Sequence, residues 1–371
     1  MSAKFKKNHI LWVLPAIIGI LIAFIIFKPD PKNNNDVMTT TDHKHITLPS
    51  TIRIASPDAG AGGKHSTGMP AMEYVYVNQL LEKEFAKDNI KIEWIFFKGA
   101  GPAINEAMAN HQIDFTILGD LPSIIGKANG LNTKLLMAIT RHGHCYMAVL
   151  PKHGYNSLAA LKDKKIAIFK GTALQLSFNQ FIKEQGFSEK DFRLINLDPT
   201  AANAALVAKQ VDGVWGSSSM FALEKQGLAE IPFGTENSTQ AAGTLQMGFI
   251  GTTEFAEKYP EVTQRVVNSV LKGLHWAAQK ENEDQAIDLA IKNSSISRDL
   301  FLLGYKRNQQ HSNLSPLLDH FYLNHLQSGL DAAMETKIIR QKFEVEAWAE
   351  PKFVQQGLKQ LGLDNEWQPQ N

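Results

Sequence analysis

Three short turns contain the residue types from which proteins build an anion-binding site. Each joins a strand-like run to a helix-like run and carries glycine beside the helix start: residues 98–103 (KGAGPA), 119–123 (GDLPS) and 170–177 (KGTALQLS). Glycine lets the backbone approach a ligand closely, and the first N–H groups of a helix are unpaired donors next to a partial positive charge. Each turn alone is consistent with a simple helix start. Three of them facing one cleft predict several N–H donors around a small anion.

Two of these turns contain a side chain that favours the helix start itself. Asp120 in the second turn and Thr172 in the third are predicted N-caps. A carboxylate that caps a helix accepts hydrogen bonds from its first N–H groups, so fewer of them remain for an anion. Asp120 is therefore either a cap or a group that selects among ligands.

The glycine-rich loop 57–68 (PDAGAGGKHSTG) follows the first predicted strand. A phosphate-binding P-loop needs glycine where Asp58 stands and serine or threonine where His65 stands, and the dinucleotide-binding pattern also fails at this histidine. Lys64 and His65 remain candidate ligand residues. The loop is predicted to be either a ligand lid or a plain mobile loop.

A hydroxyl-rich turn, 212–220 (DGVWGSSSM), follows a later strand. Ser217 and Ser218 offer uncharged donors, and the indole of Trp215 offers a flat apolar wall. The alternative is a serine-rich turn beside a core tryptophan. A nucleophile elbow is excluded because Met220 stands where that motif needs glycine.

The sequence RHGHC at 141–145 contains the residue types of a metal site. On a strand His142 and His144 share one face while Cys145 points the other way, so we predict structural or near-ligand histidines and no metal site. No cofactor is predicted. Cys145 is the single cysteine of the chain and is predicted to be a buried small hydrophobe. An intrachain disulfide is excluded.

The elements that must position these residues alternate between strand and helix from Thr51 onward, which is typical of α/β proteins. The stretch 72–87 is predicted to be one amphipathic helix, and the chain after Glu254 is predicted to be mostly helical. Strands near 139–151 and 244–252 join two lobes, lobe 1 formed by 51–142 and 250–371 and lobe 2 by 143–249. Ligands of open α/β sheets bind beyond the carboxyl ends of the strands, where all these turns lie.

The N-terminus has the pattern of a membrane-directed segment. Lys4, Lys6 and Lys7 precede an uncharged run, 10–27, that is just long enough to cross a bilayer as a helix. The bulky residues that end this run disfavour cleavage by a signal peptidase. We therefore predict an exported protein tethered to a membrane by residues 1–27, with a polar linker at 28–50; a cleaved signal peptide is the alternative. The net charge of +1 argues against a nucleic-acid partner.

The order of motifs in 99–130 (GAGPAINEAMANHQIDFTILGDLPSIIGKANG) and 150–178 (LPKHGYNSLAALKDKKIAIFKGTALQLSF) resembles that of periplasmic binding proteins of sulfonate, taurine and nitrate ABC importers. The resemblance implies a two-lobed type II fold with mostly parallel sheets, helices on both faces and a two-strand hinge. It also implies a list of ligand-facing residues: Gly99, Ala100, Gly101, Gly119, Asp120, Leu121, Thr172, Ala173, Trp215, Ser217 and Ser218, with Lys64 and His65 in the variable loop.

One departure from the relatives bears on the ligand. They commonly read Trp-Asp-Pro or Trp-Glu-Pro where this chain has Trp215 followed by Gly216 and Ser217. The missing carboxylate disfavours a taurine-like ligand, whose ammonium would need a negative partner. A sulfonate or sulfate ester is the expected ligand.

The resemblance thus predicts a periplasmic binding component, tethered to the inner membrane by the N-terminal segment, that delivers its ligand to an ABC permease in that membrane, and not an enzyme. Two rivals remain. An enzyme on the same fold, of the type that forms the thiamine pyrimidine precursor, would need a cysteine-rich iron site, and the single Cys145 counts against it. A membrane-tethered ligand sensor would make the same use of the anchor.

Overall fold

The computed structural model describes residues 48–239, 242–294, 296–307 and 314–370, which belong to one compact unit. The predicted anchor, 1–27, and nearly all of the predicted linker lie outside these residues. In the ranges given, no helix combines the length and the apolar character needed to cross a bilayer.

The first half of the chain alternates strands and helices as the sequence predicts. Its elements are β1 Thr51–Pro57, α1 Pro70–Val77, α2 Leu80–Phe85, β2 Lys91–Phe97, α3 Ala100–Ala109, β3 Phe115–Gly119, α4 Asp120–Ala128 and β4 Thr133–Gly143.

The next part of the chain repeats this alternation with shorter strands. Its elements are β5 Tyr146–Val149, β6 Lys165–Ile168, α5 Ala173–Glu184, β7 Arg193–Asn196, α6 Pro199–Val207, β8 Gly213–Gly216, α7 Phe221–Lys225 and β9 Glu230–Gly234. The chain then continues into β10, Leu245–Thr252.

The strands form two five-stranded sheets. The first sheet has the order β2-β1-β3-β10-β4 and the second has the order β7-β6-β8-β5-β9. In each sheet one strand, β10 or β5, pairs antiparallel with both neighbours, so the other four run in one direction. Each sheet is packed between helices, and the predicted α/β class with mostly parallel strands is confirmed.

The chain passes between the two sheets twice. It leaves the first sheet from β4 to β5 and returns from β9 to β10, and Leu245 at the start of β10 pairs with Gly143 at the end of β4. The two crossing segments therefore run side by side, as the predicted two-strand hinge requires.

The described residues after β10 are mostly helical, as predicted. The helices are α8 Thr253–Lys258, α9 Pro260–Ala278, α10 Glu283–Ile291, α11 Arg298–Arg307, α12 His320–Glu335, α13 Val345–Trp348 and α14 Lys352–Leu361. Gly273 of α9 lies so close to α1 that a Cβ there would be 2.5 Å from a methyl of Val75. Gly329 of α12 lies similarly close to Leu176 of α5 and Ile124 of α4.

Two details differ from the sequence-based expectation. The helix predicted over 72–87 is broken into α1 and α2, because Gln79 adopts a left-handed conformation with φ of 53°. The strand β9 was not predicted, since it is short and contains Pro232. Proline is tolerated there because β9 lies at the edge of its sheet.

Candidate functional site

The three predicted helix starts meet at one place. A Cβ on Gly119, before α4, would lie 2.9 Å from Cβ of Ala173 in α5, and one on Gly101 of α3 would lie 2.4 Å from Cβ of Pro122 in α4. Gly171, before α5, approaches Pro102 of α3 to 3.2 Å by the same measure. The first turns of α3, α4 and α5 are therefore in mutual contact, although α5 follows a strand of the other sheet.

The start of α3 has a strained backbone. Gly99 is its N-cap and makes no side-chain cap. Ala100, the first helical residue, has φ of 49°, in the region that ordinarily favours glycine. Such strain persists only where the surroundings enforce it and is common at ligand sites. Gly99 is exposed and Gly101 is buried.

The start of α4 corrects the role predicted for Asp120. The N-cap is Gly119, and Asp120 is the first helical residue. Its side chain is buried, with Oδ1 accepting from the N–H of Leu121 at 2.6 Å and Oδ2 accepting from the N–H of Gln246 at 3.2 Å. Nε2 of His325, in α12, lies 3.3 Å from the same Oδ2. The carboxylate thus ties α4 to β10 and α12.

Sequence reasoning missed His325 and Gln246. They lie 205 and 126 positions from Asp120 along the chain, and neither stands in a motif. The only signal in the sequence was a histidine, His325, inside an amphipathic helix. That pattern is equally typical of ordinary core packing.

The start of α5 confirms the predicted cap at Thr172. Its Oγ1 accepts from the N–H of Leu174 at 3.3 Å and donates to the carbonyl of Phe169 at 2.6 Å. The N–H of Gly171 donates to Oε1 of Gln175 at 2.8 Å. These bonds fix the turn and leave Ala173, half-buried, facing Gly119.

The turn after β8 holds its tryptophan inside the second sheet's core. Trp215 is 1% exposed, its Nε1 donates to Oγ of Ser177 at 3.1 Å, and its ring packs on Phe178 and Phe181. It also borders a cavity of about 10 Å³, which is room for about one water molecule. The core position agrees with the alternative interpretation of this turn, and the indole's contact with a ligand stays a prediction.

The two predicted hydroxyl donors of this turn are half-buried. Ser217 precedes a short 3₁₀ turn that contains Ser218. Ser218 is covered by Gly304 of α11, where a Cβ would lie 2.5 Å from the serine Cβ.

The glycine-rich loop after β1 is organised by a buried carboxylate. Asp58 accepts hydrogen bonds from the N–H groups of Gly60 and Ser66, and its Oδ2 lies 2.9 Å from Nδ1 of His65 and 3.3 Å from Nζ of Lys98. Burial alone would raise the pKa of Asp58, but these hydrogen bonds outweigh it and lower the pKa. His65 also stacks on Phe96.

Of the two residues predicted in this loop, only His65 is held in place by side-chain contacts. Lys64 is exposed. The lysine that pairs with Asp58 is Lys98, which directly follows β2. Lys98 is the first residue of the predicted turn at 98–103 but was not predicted as a site residue.

A second buried carboxylate lies beneath the same loop. Oε2 of Glu73 accepts from the hydroxyls of Ser66 and Thr67 and from the N–H of Thr67. Burial raises the pKa of Glu73. The loop is therefore fastened to α1 as well as to the end of β1.

The histidines near the crossing strands have structural contacts. His142 stacks on Phe321 with ring centroids 4.3 Å apart, and Nδ1 of His144 lies 3.1 Å from Oγ1 of Thr235. Burial lowers the pKa of both imidazoles. Within the described ranges no group of three or more His, Cys, Asp or Glu side chains is arranged to hold a metal ion.

The chain matches known proteins over most of its length. The NMT1/THI5-like family model matches residues 83–284. A putative aliphatic sulfonates-binding protein of Bacillus subtilis (strain 168) is 25% identical over 283 residues, which cover 75% of this chain and 82% of the relative.

Solved structures share the fold. The putative periplasmic sulfonate-binding protein SsuA of Methylobacillus flagellatus KT superimposes with a TM-score of 0.74 and 30% identity, covering 87% of this chain and 98% of that one. The desulfurization enzyme DSZB, at 14% identity and a TM-score of 0.62 over 84% of this chain and 99% of its own, shows that the fold also occurs in enzymes. The resemblance to binding proteins of sulfonate importers is confirmed, and the chain belongs to the NMT1/THI5-like family.

Proposed function

We propose that the protein is the extracytoplasmic solute-binding component of an ABC importer. It binds a small organic oxyanion, with a sulfonate or sulfate ester favoured, in the cleft between the halves built on the two sheets. The observation that carries this proposal is the mutual contact of the first turns of α3, α4 and α5. Three helix N-termini at one point favour a negative charge there.

The hydrogen bonds inside the protein support our choice of donors for the ligand. The N–H of Leu121 already donates to Asp120, and that of Leu174 donates to Thr172. We assign the oxyanion to the N–H groups of Ala100, Gly101 and Ala173. The hydroxyls of Ser217 and Ser218, after β8, form the wall on the side of the second sheet.

The strength of hydrogen bonds from these donors is compatible with micromolar affinity. A hydrogen bond to a charged group contributes about 1.5–3 kcal/mol, and micromolar binding corresponds to about 8 kcal/mol. Three N–H donors, one or two hydroxyls and apolar contact therefore reach that range after ordering costs. A buried arginine is not required at the site.

The descriptions of similar proteins support the location and the permease partner that we propose for this chain. The Methylobacillus flagellatus protein is described as periplasmic and as part of a sulfonate ABC transporter. For this chain we propose a periplasmic site of action, an inner-membrane permease as partner and tethering by the apolar segment 10–27. Immunoblots of membrane and periplasmic fractions test the tether, since a cleaved, released protein would appear only in the periplasmic fraction.

Calorimetry tests the ligand class. The purified protein is titrated with alkanesulfonates, alkyl sulfate esters, taurine and nitrate. We expect the first two classes to bind at micromolar concentration and taurine to bind more weakly. If none of them binds, the ligand assignment is wrong.

A further inference from the structure

Helix α11 connects to one half of the molecule and packs on the other. It follows α10, to which Arg298 is tied by ion pairs with Asp284 and Asp288, and α10 packs on α1 and α9 beside the first sheet. Yet Leu300 of α11 joins the apolar cluster of the second sheet that contains Met220 and Phe221.

The ion pair between α11 and α7 contributes little to this packing. Nζ of Lys225 lies 3.5 Å from Oδ2 of Asp299, and both side chains are more than half exposed. Exposed pairs of this kind are weak. We attribute the packing of α11 on the second sheet's helices to apolar contacts, among them that of Leu300, and to the close approach at Gly304.

Gly304 is the point of closest approach. A Cβ at this position would lie 2.5 Å from Cβ and 2.9 Å from Oγ of Ser218, and 3.7 Å from the ring of Phe221. A separation under 3 Å between carbon atoms is not tolerated, so any side chain at 304 would push α11 away from the turn. Helix propensity alone would favour alanine over glycine inside α11. The glycine at 304 is therefore explained by the close packing against Ser218.

The covered turn is the one proposed to face the ligand. Ser217 and Ser218 follow the carboxyl end of β8, the edge at which ligands of such sheets bind. We propose that α11 is a strap that closes this side of the cleft, and that Gly304 is a positioning residue whose missing side chain lets the strap seat and slow ligand release. This inference rests on the proposed function of the cleft.

The experiment compares the full-length wild type with Gly304→Ala, with Ser218→Gly/Gly304→Ala and with the control Leu303→Ala, whose side chain on α11 is 38% exposed. Ser218→Gly alone is included, because it reports the loss of the hydroxyl. Amide hydrogen exchange of residues 299–305 is measured without ligand, and the dissociation rate of 1-butanesulfonate is measured by stopped flow.

We expect Gly304→Ala to exchange faster over 299–305 and to release the sulfonate about tenfold faster with little change in association rate, because a change that weakens a complex acts mainly on its dissociation rate. Alanine has the higher helix propensity, so faster exchange cannot come from a weaker helix. The double variant should recover the exchange pattern and release the ligand at the rate of Ser218→Gly alone. Leu303→Ala should match wild type.

Three results would overturn the inference. Unchanged exchange in Gly304→Ala would mean that the close approach does not seat the helix. Changed exchange with a wild-type dissociation rate would mean that α11 does not retain the ligand, while the proposed function stands. If the wild-type protein binds neither 1-butanesulfonate nor any other sulfonate or sulfate ester, the proposed function fails first, and the ligand-retaining role fails with it.

Discussion

Asp120 illustrates how a charged residue at a proposed ligand site can stabilise the fold instead of binding the ligand. Its two oxygens accept from Leu121 and Gln246 and contact His325. The side chain is therefore engaged inside the fold, and in our proposal it is the backbone N–H groups nearby that bind the oxyanion. Aspartate at the first turn of a helix is also favourable next to the positive end of the helix dipole.

Replacing Asp120 by asparagine should separate these two roles. An amide NH₂ in place of one oxygen would face the N–H of Gln246 or Leu121, so we expect the free energy of unfolding to fall by about 1–3 kcal/mol. Sulfonate affinity should stay close to that of wild type. Urea unfolding and calorimetry measure the two effects, with Asp331→Asn, an exposed carboxylate of α12, as the control. A large loss of affinity in a folded protein would mean that the side chain itself binds the ligand.

Cys145 gives a prediction about pH. The thiol is fully buried, and burial raises its pKa to about 12. The folded state thus favours the protonated thiol, and this contribution to stability is complete below the ordinary thiol pKa and is lost as the pH rises from there towards 12. At a pH of about 8, just below the ordinary thiol pKa, we expect no alkylation by iodoacetamide in the native protein and rapid alkylation in urea. Rapid labelling of the native protein would contradict the burial and revive a nucleophilic role.

The helices of the candidate site approach each other through small residues. Glycines 101, 119 and 171 permit the contacts among α3, α4 and α5. The sequence predicted these turns because glycine and proline mark helix starts and because their order resembles that of a known family. It did not predict the break at Gln79, which no glycine or proline marks.

The contact between α4 and α5 can be tested by exchanging the glycine at position 119 with the alanine at position 173. Gly119→Ala would place a methyl 2.9 Å from that of Ala173, so the two helix starts must separate and the N–H donors no longer converge. We expect sulfonate affinity to fall by about tenfold, the loss of one hydrogen bond to a charged group. Gly119→Ala/Ala173→Gly restores the room and should recover most of the affinity. A single variant with wild-type affinity would show that this approach is not needed for binding.

At the scale of the whole molecule, distant segments are fastened to the crossing strands. Arg141 of β4 is fully buried, with one guanidinium N–H donating to Oδ2 of Asp319 at 2.8 Å. The same Asp319 oxygen accepts from the N–H of Gln370 near the end of the chain at 2.8 Å. The C-terminal segment is thereby held against the strand that leads into the second sheet. Asp319 lies 178 positions from Arg141 and 51 positions from Gln370 along the chain. No local sequence pattern could therefore predict these contacts.

Removing Asp319 should therefore cost far more than removing an exposed carboxylate. Asp319→Ala leaves the buried guanidinium without its counter-charge, and we expect the free energy of unfolding to fall by about 3–5 kcal/mol. Asp331→Ala, which removes an exposed pair with Lys342, should cost less than about 1 kcal/mol. Urea unfolding of both variants measures the difference. Equal costs would contradict a structural role for the buried pair.

A crystal structure with a bound alkanesulfonate would show whether the starts of α3 and α5, in contact with that of α4, bind the oxyanion as we propose. We predict sulfonate oxygens within hydrogen-bond distance of the N–H groups of Ala100, Gly101 and Ala173, with the alkyl chain directed towards the turn at Ser217. A sulfonate bound only by the side chains of Lys98 and His65, away from these N–H groups, would show that the helix starts do not bind the oxyanion.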